Sequence, residues 1–239
     1  MAERVDFDLY IDNYNELLRD RTQFFSASEE YFARYKVNIV AERVKRPVSR
    51  LLEFGCGIGR NIPFLQDSFP GAAITGTDIA AASVDHARVS NPGATFAAEG
   101  PDTAGIGSFD LIFIAGVFHH VPPAQRSAVA RTVYDRLDDG GDVFVFEHNP
   151  YNPVTRRIVS NCPYDEDAIL LRPGELSGLL AAAGMDVVAR GFCLFLPPSL
   201  GPLVGIERYI GWLPLGGQYW VRARRPRRGS ARPEKGESP

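Results

Sequence analysis

Four side chains near the middle of this 239-residue chain have the chemistry to move a proton: His119 and His120 in the run VFHHVP, and Glu147 and His148 at the end of DVFVFEH. An imidazole oriented by a carboxylate takes a proton from a hydroxyl near neutral pH. A second group, upstream, has the makings of a ligand cradle. LLEFGCGIGRN is an apolar strand that ends in Glu53 and runs into Gly55, Gly57 and Gly59. Such a turn lets backbone approach a ligand with no Cβ in the way, and the helix after it presents unpaired N–H groups. A dinucleotide turn would place a glycine where this chain has Arg60, and Glu53 just before the turn suits a cation better than a pyrophosphate. The strand AITGTD then delivers Asp78 beside the turn, an acceptor pair for a ribose diol, and ATFAA delivers Glu99.

Glu53, the three glycines, Asp78, Glu99 and the apolar run FDLIFIAG, taken in order, resemble motifs I to IV of the class I S-adenosylmethionine-dependent methyltransferases over about residues 48–150. The resemblance implies S-adenosylmethionine as cofactor, contacted by Glu53, Gly55, Cys56, Gly57, Asp78, Ile79, Glu99 and Ala115. The stretch FDLYIDNYNE resembles the entry to the helical lid of small-molecule members, which adds Tyr14 as a contact. A His–His pair after strand four facing an acid at the end of strand five is similar to the sugar O-methyltransferases of glycosylated natural products. That likeness makes His119 or His120 the base and Glu147 its orienter, and leaves open which histidine acts. His148, Arg156 and Arg157 are the expected acceptor contacts, the arginines suiting an anionic handle. No metal-ligand set is expected. A protein of the same fold that binds S-adenosylmethionine without transferring methyl is the alternative.

The elements that must position these groups follow from hydrophobic pattern. FDLIFIAG is a nearly continuous apolar run, as a strand covered on both faces should be. PAQRSAVARTVYDRLDDGG reads as a helix with Val129, Val133 and Leu137 in step, closed by Gly140 and Gly141, and DVFVFE as strand five. RPGELSGLLAAAGM is a further helix; MDVVARGFCLFL and GGQYWVRARR are strands six and seven, parted by an apolar insertion too long for a hairpin. Aromatic spacing at Phe7, Tyr10, Tyr14 and at Tyr31, Tyr35 predicts helices ahead of the first strand. The expectation is an α/β, Rossmann-like, seven-stranded, mostly parallel sheet with helices on both faces, and the resemblance adds an antiparallel last strand at the edge. The lid covers residues 1–46, the methyltransferase domain 47–226, and a tail without apolar content, 227–239, is expected to be disordered.

Composition agrees with one such domain: 45% hydrophobic and 11% aromatic content can bury a full core. A net charge of −3 gives no pull toward nucleic acid, and the five arginines of RARRPRR read as a solvated strand end. NPYNP follows strand five rather than strand four and lacks a second proline, so it reads as a turn with Asn152 or Thr155 capping a helix, not as a base-methylating motif. Cys56, Cys162 and Cys193 are too scattered for a disulfide framework or a zinc site, which fits a reducing cytoplasm. The acidic N-terminal stretch is no secretion signal, and no apolar run approaches a membrane span. The expected partner is a small-molecule acceptor, with a homodimer allowed.

Overall fold

The computed structural model describes residues 29–100, 103 and 105–227. Helix α1 (Glu29–Arg43) precedes β1 (Arg50–Phe54), α2 (Ile62–Ser68), β2 (Ala73–Asp78), α3 (Ala81–Ser90), β3 (Thr95–Ala98) and β4 (Phe109–Ala115). A 3-10 turn at Phe118–His120 leads to α4 (Pro123–Arg136), β5 (Leu137–His148), α5 (Pro153–Ser160), α6 (Pro173–Ala182), β6 (Asp186–Cys193) and β7 (Gln218–Arg224). Tyr31 and Tyr35 lie on α1 as expected; Phe7, Tyr10 and Tyr14 fall outside the described residues.

Seven strands form one sheet in the order β3-β2-β1-β4-β5-β7-β6. β1 to β5 pair in parallel, and β7 runs antiparallel to both β5 and β6. The last strand is antiparallel, but it does not form the edge: it inserts between β5 and β6, and β6 is outermost. Burial accounts for this. Tyr219, Trp220, Val221 and Ala223 of β7 are all buried, whereas Asp186, Val187 and Val188 of β6 are exposed.

Neighbouring residues of each central strand point to opposite faces and serve separate cores. Ile112, Ile114, Val143 and Val145 pack with Ala130 and Val133 of α4 and Leu176 and Leu180 of α6. Leu111, Phe113, Phe144 and Phe146 pack on the other side with Val37 and Val40 of α1 and Ile62 and Leu65 of α2. This two-sided cover is why β4 and β5 read as continuous apolar runs. α4 ends at Arg136, short of the glycines expected to close it, because Leu137 pairs with Phe109 and opens β5; Gly140 and Gly141 sit within the strand, Gly140 at φ 78°.

Candidate active site

The carboxyl ends of β1, β2, β4 and β5 meet above the sheet. In the turn after β1, Gly55, Gly57 and Gly59 have φ of 73°, 50° and 81°, the left-handed region that side-chain-bearing residues avoid. Gly55 and Cys56 donate their N–H groups to Thr77 O, and Gly57 N donates to Asp78 Oδ2 at 2.7 Å. The other oxygen of Asp78 accepts from Ala80 N at 3.0 Å, so this carboxylate ties the glycine turn to the end of β2. A Cβ on Gly57 would meet nothing within 4 Å: the backbone there borders open space.

Glu53 is 1% exposed. Its Oε1 accepts from Asn61 Nδ2 at 2.6 Å, while the buried Oε2 has no hydrogen-bond partner among the described residues. Burial lifts its carboxyl to about 8, against the pull of Asn61 and Lys36. Lys36, reaching in from α1, is lowered to about 8 by burial and by the charge of Arg60. Sequence reading missed Lys36 and Asn61; among the arginines and glutamates of α1, Lys36 carries no signal that sets it apart. Ile79, next to Asp78, is 52% exposed, and Cys56 is buried, which pushes its thiol up.

Glu99, expected as a cofactor contact just after β3, is also the partner of an arginine. Both its oxygens are engaged by Arg136, at 2.6 and 2.8 Å, and one also accepts from Thr103 Oγ1. The guanidinium holds this carboxyl below its ordinary range despite burial.

The histidines lie just beyond β4, whose last residue is Ala115. His119 is 2% exposed, and its Nδ1 lies 2.6 Å from Glu147 Oε2. Glu147 Oε1 accepts from the backbone N–H groups of Val117 and Phe118 at 3.1 and 2.7 Å, so one buried carboxylate fixes both the ring and the turn that carries it. His120 Nδ1 lies 2.9 Å from Asp167 Oδ1. Asp165 Oδ1 sits 3.5 Å from the Nε2 atoms of both histidines. The His148 ring centroid is 4.9 Å from that of His119. Burial opposes charge on His119, but Glu147 and Asp165 outweigh it and raise the ring to about 10; His148 is lowered to about 4 by burial and by its charged neighbour. Asp165 and Asp167 are the functional candidates sequence reading missed. Their signal was the acidic run Asp165, Glu166, Asp167, which by itself reads as a solvated loop.

Asn152 caps α5, accepting from Val154 N and Thr155 N at 2.9 and 3.1 Å, as the turn reading of NPYNP required. A cleft of about 930 Å³ beside α5 is lined by Arg156, Arg157, Cys162, Asp165 and Glu166, among others. The expected acceptor arginines therefore share a cavity with a carboxylate that touches both histidines.

Residues 52–143 match the Methyltransferase domain family. An uncharacterized methyltransferase of Synechocystis sp. is 28% identical over 152 residues, 60% of this chain and 70% of that relative. A solved S-adenosylmethionine-dependent methyltransferase from Thermotoga maritima, described as a possible histamine N-methyltransferase, aligns with a TM-score of 0.66 at 18% identity, covering 91% of this chain and 97% of its own. An O-methyltransferase family protein from Burkholderia thailandensis aligns at 0.65 and 13%, covering 92% and 70%. The fold is that of S-adenosylmethionine-dependent methyltransferases.

S-adenosylmethionine is the cofactor that this match supports, and the residues fit it. The ligand carries an ammonium and a sulfonium and no phosphate. A buried carboxylate oxygen without a partner, on Glu53, beside open space over Gly57, suits such a cation; the exposed apolar Ile79 beside Asp78 suits a flat heterocycle.

Proposed function

We propose that this methyltransferase acts on a hydroxyl oxygen of a small molecule, a sugar or a secondary metabolite. The Thermotoga neighbour is described by nitrogen and the Burkholderia one by oxygen, so the choice rests on the site. The carrying observation is the buried His119–Glu147 contact at 2.6 Å, placed where β4 and β5 end next to the glycine turn. A hydroxyl must lose its proton as it is methylated, and a carboxylate-held imidazole suits that task.

The cofactor supplies a methyl group already activated on sulfonium. This chain's residues do the rest: Glu53, with Gly55, Cys56, Gly57, Asp78, Ile79, Glu99 and Ala115, holds the cofactor, while Arg156, Arg157 and His148 seat the acceptor beside the imidazoles. The acceptor hydroxyl would be seated beside the His119–His120 cluster, where its proton would be lost as the methyl group is received. Holding the two reactants in line accounts for much of the rate.

The test is incubation with methyl-labelled S-adenosylmethionine and a panel of hydroxylated acceptors with and without an anionic handle, the product being located by mass spectrometry and NMR. Label on oxygen of a hydroxylated acceptor is the expected result. Transfer confined to amines or to carbon overturns the assignment.

A further inference from the structure

We propose that His119, His120 and Asp165 form a site for one divalent transition-metal ion of the zinc class, placed at the acceptor oxygen. The inference rests on the acceptor-site reading above and deepens it, by assigning to an ion the task of making that oxygen nucleophilic.

Three observations carry it. Asp165 Oδ1 lies 3.5 Å from His119 Nε2 and 3.5 Å from His120 Nε2. Ligands about 2.0–2.1 Å from a tetrahedral zinc ion stand roughly 3.4 Å apart, so two edges of the ligand triangle already have the length an ion would impose. The three ligand atoms all fall within 4.8 Å of one another. Both imidazoles are also presented correctly. His119 Nδ1 is held by Glu147 at 2.6 Å and His120 Nδ1 by Asp167 at 2.9 Å, which turns Nε2 of each ring toward Asp165. A carboxylate on the remote ring nitrogen is the usual support of a metal-ligating histidine, and here each ring has one.

Charge and access agree with the geometry. Among the described residues, neither Glu147 nor Asp165 forms an ion pair with a lysine or arginine; their recorded ion-pair partners are imidazoles. A divalent cation there would compensate both buried carboxylates while leaving the two imidazoles neutral, as metal ligands must be. Asp165 also lines the cleft of about 930 Å³, which gives the ion a route in and leaves its open side toward the space that Arg156 and Arg157 border.

Two imidazoles and one carboxylate form a borderline donor set, favouring zinc, iron(II) or cobalt(II) over magnesium or calcium. Three protein ligands leave a coordination position open, the mark of a catalytic rather than a structural site. An acceptor hydroxyl taken there is acidified by the ion. Its O–H bond breaks, the proton passes to water in the cleft, and the oxygen receives the methyl carbon. The sequence offered no metal set because Asp165 is remote from the histidine pair in the chain, with none of the short repeats that mark metal sites.

The experiment uses the full chain, stripped with a chelator and titrated with cobalt(II) alone, followed by ligand-field absorption and competition with zinc(II). One equivalent should bind, with the visible bands of a tetrahedral or five-coordinate centre. Asp165→Asn and His120→Ala should weaken binding at least about 100-fold, and Asp167→Asn by about 10- to 100-fold, the range for loss of a supporting carboxylate. Calorimetric binding of S-adenosylhomocysteine should persist in all three, which shows they are folded. Absence of saturable cobalt binding by the parent protein overturns the proposal, as does binding indifferent to Asp165→Asn. Methyl transfer to a hydroxyl that continues at full rate in verified metal-free protein also overturns it, and leaves the oxygen-acceptor reading intact. One-equivalent cobalt binding lost in Asp165→Asn supports the site even if no hydroxyl acceptor is found, an outcome that weighs only against the acceptor reading.

Discussion

His119 and Glu147 are joined at 2.6 Å in a pocket that leaves each of them no more than 2% exposed. The same carboxylate accepts the N–H groups of Val117 and Phe118, so the ring and its backbone are fixed by one group. The pair spans the ends of β4 and β5, which are neighbours in the sheet, with Ala115 opposite Phe146. Removing the charge while keeping the shape tests its role. Glu147→Gln should reduce turnover by about 10²- to 10⁴-fold, the span associated with losing a positioned proton-transfer system. Affinity for S-adenosylhomocysteine should change little, because the proposed cofactor contacts lie mainly at the ends of β1 and β2. Parent-level turnover in a folded Glu147→Gln protein would remove the pair from the mechanism.

Gly57 combines a φ of 50° with open space where its Cβ would be. Gly57→Val should therefore lose cofactor binding by obstruction and lose about 1–2 kcal/mol of stability by strain. Calorimetry gives the first and urea denaturation the second. A folded variant with unchanged cofactor affinity would show that the ligand lies elsewhere.

Cofactor affinity should rise with pH between about 7 and 9. Burial raises Glu53 to about 8, and Lys36 is lowered to about 8, so both change charge in this window. Rising pH ionises the carboxylate proposed to meet the cation and discharges the nearby ammonium of Lys36, and both changes favour a positively charged ligand. The sign for stability without cofactor is opposite. Glu53, raised above its ordinary value, contributes stability that is present at low pH and lost as pH rises through about 8. Glu53→Gln should bind weakly with a flatter pH dependence, measured by titration calorimetry across the window; a parent affinity that falls with pH would contradict the assignment.

The arginines of the last strand are structural. Asp142 has no exposed surface and is paired with Arg222 and Arg224 at 3.0 and 3.1 Å, with Arg46 at 3.5 Å. These pairs hold its carboxyl below the ordinary range despite burial, so their stabilisation is present above that range and lost as pH falls through the lowered value. Asp142→Ala should cost about 3–5 kcal/mol in denaturant unfolding, the range for breaking a buried pair. A loss under about 1 kcal/mol would return these arginines to the solvated-surface reading.

The sequence by itself determined the strands of the sheet and the glycine turn after the first of them. β2 spans the run AITGTD, and β4 covers the apolar stretch before Gly116, because alternation and apolar runs are local properties written residue by residue. The glycine turn was equally legible, since three close glycines after an apolar strand allow the positive φ angles that a tight turn needs. The partners of the polar groups were not legible. Whether Glu99 faces solvent or Arg136, whether Asp142 collects two arginines from β7, and whether Asp165 and Asp167 reach the histidines depend on strand order and on how the connector after β5 folds back. The position of β7 inside the sheet rather than at its edge is likewise a matter of which apolar surface is covered by what. A backbone pattern repeats along the chain and can be read from it; a polar contact between distant segments is made only when packing brings them within about 3 Å, and only the tertiary structure fixes that.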